Sequence, residues 1–189
     1  GSDGARKTDL NAHGKAGGLG YVLDASRFET DGYREHSAAT RDQSFAKLTP
    51  TVGAGRLVIT ASALRQKDSQ DPLGVTWATF SRAPRAGERD PTDPLGRTFA
   101  ARYNTRKSID HQQAGAAYDV EFGGTRLHAM AYGGNRKVVQ FQSFSRAFQA
   151  SPSHSGGVID FDRDFYGADV HATRTWRHTL GSLAATAGI

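Results

Sequence analysis

In "QQAGAAYDVEF", residues 112–122, Ala114, Ala116, Tyr118, Val120 and Phe122 hold every second position, with Gly115, Ala117, Asp119 and Glu121 between them. A period of two places the first set on one face of an extended strand and the second on the other. The pattern recurs along the chain. Leu19, Tyr21, Leu23 and Ala25 alternate with Gly20, Val22, Asp24 and Ser26, and Leu57, Ile59, Ala61 and Ala63 alternate with Val58, Thr60, Ser62 and Leu64. Leu127, Ala129 and Ala131 are set against His128, Met130 and Tyr132, and Tyr166, Ala168, Val170 and Ala172 against Gly167, Asp169, His171 and Thr173. Helical periodicity is poor throughout. The chain must therefore build strands with one greasy and one wet face.

The connections between these strands alternate as regularly as the residues within them. Some are tight and rich in glycine: "KAGG" at 15–18, "GAGR" at 53–56, "GGT" at 123–125 and "RHTLG" at 177–181. Glycine supplies the positive φ that short hairpin turns require. The others are long and polar, and fall at about 28–43, 66–108 and 143–165. The second contains three Asp-Pro steps, at Asp71, Asp90 and Asp93. Short and long connections in strict alternation predict an antiparallel up-and-down meander with every long loop at one end.

Composition decides what such a sheet can bury. Apolar residues are only 37% of the 189, and much of the remainder of the uncharged sequence is made up by 22 glycines, which bury almost nothing. A water-soluble domain built from this chain would have a thin core of Ala, Val and Leu. A membrane barrel needs none, because its apolar face meets lipid and its polar face lines a lumen. Strands of about ten residues, short turns at one end and long loops at the other are also the pattern of outer-membrane barrels. The same alternation suits a soluble β-sandwich or meander, whose polar residues would face outward.

Several stretches resemble the TonB-dependent outer-membrane receptors. "GSDGARKTDLNAHGKAGGLGYVLDAS" and "LDASRFETDGYREHSAATRDQSFAKL" are similar to early barrel strands and the loop joining them. "QDPLG", "NTRKSIDHQQAGAAYDVEF", "LHAMAYGGNRKVVQFQ" and "GGVIDFDRDFYGADV" resemble later strands and loops of the siderophore-type members. The likeness spans nearly the whole chain. It implies an all-β fold of about eight strands, forming part of a large transmembrane β-barrel with short periplasmic turns and long extracellular loops. Residues 1–189 would be one partial barrel domain. The plug and the TonB-contacting box are not recognisable, and the family closes its barrel with about 22 strands. The sequence thus reads as an internal piece that stops mid-strand at "LAATAGI". A small closed barrel of eight strands is the rival within the same class.

The resemblance further implies a transporter of the bacterial outer membrane and no enzyme. It would take up a scarce ligand, most often a ferric siderophore, with energy delivered by the TonB complex through the missing plug region. Outer-membrane lipid is the other partner, and no covalently bound cofactor is expected. Ligand recognition in this family falls on outer loops, which makes Tyr33, Arg34, His36 and Arg41 of the first long connection candidates. Trp77, Arg82, Arg85 and Tyr103 of the second join them, together with Phe80. Arginine offers a two-pronged donor for carboxylate or hydroxamate oxygens, and tyrosine a flat amphipathic contact. A soluble antiparallel β-domain binding a ligand through its long loops is the alternative.

Other chemistry finds little support in the residues. There is no cysteine, so neither a disulfide nor a thiolate metal site can form. The formal charge of +5 arises from 24 Lys and Arg scattered among 19 Asp and Glu, without the basic run that nucleic-acid binding favours. Seven histidines lie in different segments without metal-ligand spacing, although His111 and His128 could face each other on neighbouring strands. "DFDRD" at 160–164 alternates three carboxylates but lacks the glycine and distal glutamate of a calcium loop. No Gly-x-Ser-x-Gly elbow and no phosphate-cradling glycine loop is present. Tyr21, Tyr118, Phe122, Tyr166 and Trp176 fall where an interfacial aromatic girdle belongs.

Overall fold

A computed structural model describes residues 1–154 and 156–189. Eight strands succeed one another: β1 (Arg6–Ala16), β2 (Leu19–Thr30), β3 (Ala39–Val52), β4 (Gly55–Gln70), β5 (Arg106–Phe122), β6 (Thr125–Phe141), β7 (Val158–His178) and β8 (Gly181–Gly188). Three short helices interrupt the long connections: α1 (Trp77–Arg82), α2 (Phe99–Tyr103) and α3 (Arg146–Gln149). All strands belong to one antiparallel sheet in the order β1-β2-β3-β4-β5-β6-β7-β8. Among the described residues β1 and β8 do not pair with each other, so the sheet is open. The chain is the all-β meander of eight strands that its alternation requires.

Every tight connection is a two-residue hairpin, at 17–18, 53–54, 123–124 and 179–180. Gly123 and Gly124 have φ of 55° and 76°. Positive φ at both central residues is the requirement of the type I′ turn, whose twist matches that of the strands it joins. The long connections all lie at the opposite end and are shorter than the sequence suggested, covering 31–38, 71–105 and 142–157. Strand pairing continues through charged sequence at both borders. Arg27 to Thr30 pair with Asp42 to Ala39, and Val158 to Phe165 pair with Phe141 to Gly134. Arg41 is consequently a strand residue, opposite Phe28 on one side and Gln66 on the other, and not a loop residue.

The pairing register brings the apolar set of each strand onto the same face of the sheet. One line across seven strands runs Gly14, Tyr21, Leu48, Ile59, Ala116, Ala131 and Ala168, each directly opposite the next. β8 extends the face, with Ala187 opposite Ala172 and Leu183 opposite Trp176. Because side chains alternate strictly, a slip of one residue at any strand would break this continuity. Small Ala and Gly dominate the lines, with Leu, Ile, Tyr and Val between them.

Nothing packs over that face. Among the described residues the extensive strand contacts all run between sequence neighbours, with no second layer. Leu23 remains 44% exposed and Ile59 37%. The buried hydrophobic residues are Ala100 and Val138. Accessible surface totals 12840 Å², against about 8,800 Å² for a compact monomer of this mass. In β7, Tyr166, Ala168 and Val170 are exposed while Phe165, Gly167, Asp169 and His171 are half-buried. In β7 the wet face is the more enclosed of the two, whereas in β3 Arg41, Gln43 and Phe45 of that face are exposed.

On the long-loop side of the apolar residues, but on the same face, lies a row of opposed charges. Arg27, Asp42, Arg65, Asp110, Lys137 and Asp162 follow one another across β2 to β7, alternating in sign. Arg27 approaches Asp42 to 3.2 Å and Arg65 approaches Asp110 to 3.4 Å. Directly opposed unlike charges favour this register, whereas like charges would disfavour it.

Candidate functional site

The long-loop end gathers most of the residues singled out from the sequence, and it uses several of them to hold itself together. His36 sits in the left-handed region at φ 61°. Its Nε2 lies 2.8 Å from the Thr105 carbonyl oxygen and ties the β2–β3 loop to the β4–β5 loop. The Arg34 guanidinium donates to the Leu73 carbonyl across 3.5 Å. Arg85 pairs with Asp3 and lies over the Tyr33 ring, 5.0 Å from its centroid. The Glu35 amide closes the contact by donating to the Arg85 carbonyl at 3.1 Å. Tyr33, Arg34, His36 and Arg85 therefore meet as a clasp between two loops.

The remaining candidates separate. Arg41 projects from β3 on the wet face, apart from this clasp. Tyr103 is half-buried beside the Arg102 guanidinium, 5.5 Å from its ring centroid. Trp77 and Arg82 stand exposed at the two ends of α1, with the Trp77 and Phe80 rings 5.6 Å apart on one helical face. Trp77 is 78% exposed. The Trp77–Phe80 pair is an aromatic platform open to a ligand with flat groups, while Arg82 lies on another side of the helix, where its charge acts on Glu88.

The segment 71–105 is an ordered unit in its own right. Thr76 caps α1 by accepting from the Thr79 amide at 3.2 Å, and Thr98 caps α2 by accepting from the Ala101 amide at 3.2 Å. Asn104 ends α2 in the left-handed conformation, at φ 48°. Between the helices, the two later Asp-Pro steps fold a tight loop. Asp90 accepts from the Thr92 amide at 2.9 Å and its hydroxyl at 2.8 Å, and pairs with Arg102. Asp93 holds the Arg97 guanidinium through both oxygens, at 2.9 and 3.0 Å. The side chains of both aspartates are only 2% exposed. Thr98, Ala100 and Thr105, each 1% exposed, form the centre of the unit.

These partners shift the carboxyls. Hydrogen bonds from Arg97 hold Asp93 well below the usual carboxylate range, against the opposing effect of burial. Burial pushes Asp90 upward, but its bonds to Thr92 and Arg102 outweigh it and leave the group below its ordinary value. A carboxyl lowered on folding stabilises the folded form above its unfolded value, about 3.9 for aspartate, and loses that contribution as pH falls below it. Pepsin therefore leaves Leu95 and Phe99 intact at about pH 4 and nicks them as the pH drops toward about 2. Asp93→Asn is nicked at the higher pH already. Identical pH profiles for the parent and Asp93→Asn would remove the acid-sensitive contribution from this site.

Two further groupings could not be read from the sequence. In the β6–β7 connection the Phe148 ring stacks on His154 at 3.6 Å and lies 5.0 Å from Phe144. On the wet face, Asp119, His128 and His171 stand directly opposite one another on β5, β6 and β7. The His128 Nδ1 lies 2.8 Å from Asp119, the His171 Nδ1 lies 2.7 Å from Asp169, and the two rings are stacked 4.9 Å apart. His128 thus faces His171. His111 does not meet it; His111 is opposite Arg136 and stacks on Phe165 at 5.6 Å. Only the strand register brings these histidines together.

The carboxylates of "DFDRD" belong to β7. Asn135 donates to Asp162 at 2.8 Å and Asp164 at 2.9 Å, while Arg163 points to the other face, over Phe161. Among the described residues no three His, Asp or Glu side chains converge as a metal cage. No helix is long and apolar enough to cross a membrane, which leaves crossing by strands untouched. No protein-family model matches this chain.

Proposed function

We propose that the chain is a portion of the β-barrel of an outer-membrane transport receptor of the TonB-dependent type, binding a scarce ligand for energised uptake. One observation carries the membrane part. The register gathers eight apolar sets onto a single uncovered face, and water is a poor neighbour for so extended an apolar surface. Hydrocarbon is the solvent that such a face fits, with the charged alternants hydrated in a lumen. The two-residue hairpins suit the periplasmic side and the folded 71–105 unit the outer side. A soluble β-domain would need a layer over Leu23, Ile59 and Val120, and among the described residues there is none.

The ligand assignment rests on the sequence resemblance and on the chemistry left open at the loop end. Ferric siderophores present flat aromatic or anionic oxygen groups, which Trp77 and Arg82 on α1 are suited to meet. Loop residues engaged in the clasp would position this surface and not touch the ligand. The protein is a transporter on this reading, with outer-membrane lipid around it and the TonB complex reached through a plug region outside the chain.

The test begins with solvent. In dilute buffer the isolated chain self-associates, because two unpaired strand edges and an apolar face are exposed together. In detergent or lipid vesicles it disperses and keeps its strand content. Ferric hydroxamate, catecholate and citrate complexes are then added in turn, with tryptophan fluorescence recorded for the parent and for Trp77→Phe. A quench lost in Trp77→Phe supports loop recognition. A monomer that melts cooperatively in water and ignores vesicles overturns the membrane reading.

A further inference from the structure

We infer that His128 and His171 form a two-imidazole site for a late divalent transition metal on the wet face of the sheet. This needs only the pairing of β5, β6 and β7, and it stands whether or not the sheet lies in a membrane. The two histidines are directly opposite on adjacent strands, where the β-carbons of facing residues stand about 4.5–5.5 Å apart. Two imidazoles so placed can share one metal ion, with metal–nitrogen distances of about 2.0–2.1 Å, once the rings turn out of their stack so that both Nε2 atoms converge.

The second observation is how the rings are held. Each Nδ1 is tied to its own carboxylate, His128 to Asp119 and His171 to Asp169. A carboxylate on one ring nitrogen fixes the tautomer, orients the imidazole and leaves Nε2 as the lone-pair donor. The rings are stacked with centroids 4.9 Å apart and planes 27° from parallel, so metal binding has to open that stack.

Access and charge agree. The position across from His171 on β8 is Gly188, where even a β-carbon would stand 2.4 Å from that of His171. No side chain on β8 covers the site. The imidazoles are 25% and 39% exposed, so water can complete the coordination. Asp119 and Asp169 supply negative charge beside the metal, and Arg56 stands opposite Asp119 on the far side from the histidines. Imidazole ligands with open positions select copper(II), nickel(II) or zinc(II) over magnesium or calcium.

Copper(II) added to the full chain in detergent is the probe, followed by paramagnetic resonance and calorimetry at neutral pH. The expected result is one site with nitrogen coupling from two imidazoles. His128→Asn and His171→Asn each weaken binding at least tenfold, and Asp119→Asn and Asp169→Asn weaken it about 10–100-fold. The asparagine variants preserve polarity in the sheet, and unchanged strand content by circular dichroism excludes a folding defect. A His13→Asn, His178→Asn control keeps the site. Equal copper affinity in the His128→Asn, His171→Asn double variant would place the metal elsewhere and overturn the assignment.

Discussion

Arginine at Ala116 lowers the unfolding free energy of the chain in lipid vesicles by about 2–4 kcal/mol, while arginine at the adjacent Ala117 leaves it within about 0.5 kcal/mol of the parent. The two residues are neighbours in sequence and opposite in environment. Ala116 lies between Ile59 and Ala131 on the apolar face, and Ala117 lies between Val58 and Met130 on the wet one. On the membrane reading proposed above, a guanidinium at Ala116 would have to enter hydrocarbon near the middle of the apolar rows, whereas at Ala117 it would reach water on the other face. Ala61→Arg behaves like Ala116→Arg, because Ala61 belongs to the same face. Urea unfolding in vesicles checks all three variants. Equal small costs at Ala116 and Ala117 would mean that neither face touches lipid.

The second large effect comes from two consecutive glycines in β6. Alanine at Gly134 destabilises the sheet by about 1–3 kcal/mol, the cost of forcing extra volume into a packed site. A β-carbon there would stand 2.3 Å from the Gln112 carbonyl oxygen and 2.6 Å from the Phe165 ring. The backbone of β5 would have to move. Alanine at Gly133 meets nothing closer than 3.7 Å and changes stability by less than about 0.5 kcal/mol. Paired melts in detergent separate the two, and a harmless Gly134→Ala would show that β5 and β6 are less closely packed than described.

The strands legible from the sequence are those that cross the apolar rows. In β5 the alternation from Ala114 to Phe122 is unbroken, and Gly123-Gly124 marks the turn after it. Legibility fades where a strand leaves those rows. Arg27 to Thr30 and Ala39 to Gln43 read as loop because both faces of the sheet are polar there, so period two leaves no trace. Arg41 was misplaced for that reason, and so was the segment Val158 to Phe165. The 71–105 loop was misread differently. Its Asp-Pro steps signal turns, but a signal for a turn does not reveal that Asp90 and Asp93 will bury their carboxylates against Arg102 and Arg97.

Site residues follow the same logic. Tyr33, Arg34, His36 and Arg85 are loop residues by local sequence, yet what each touches is decided across gaps of tens of residues, such as the 69 between His36 and Thr105. Residue type alone could not distinguish the clasp from the open surface at Trp77 and Arg82. The histidine pair is the clearest case. His128 and His171 are 43 positions apart, and they meet because β6 and β7 are in one particular register.

On the membrane reading proposed above, the row from Arg27 to Asp162 would act as a waterline. Lowering the sheet into a film of hydrocarbon would strip the hydration from six ionised groups together. Raising it would lift Tyr21, Leu48 and Ile59 into solvent. With opposing penalties acting along the same axis, the height of the sheet in such a film would be a stiff coordinate. The folded 71–105 unit would thereby be carried at a fixed elevation above the surface.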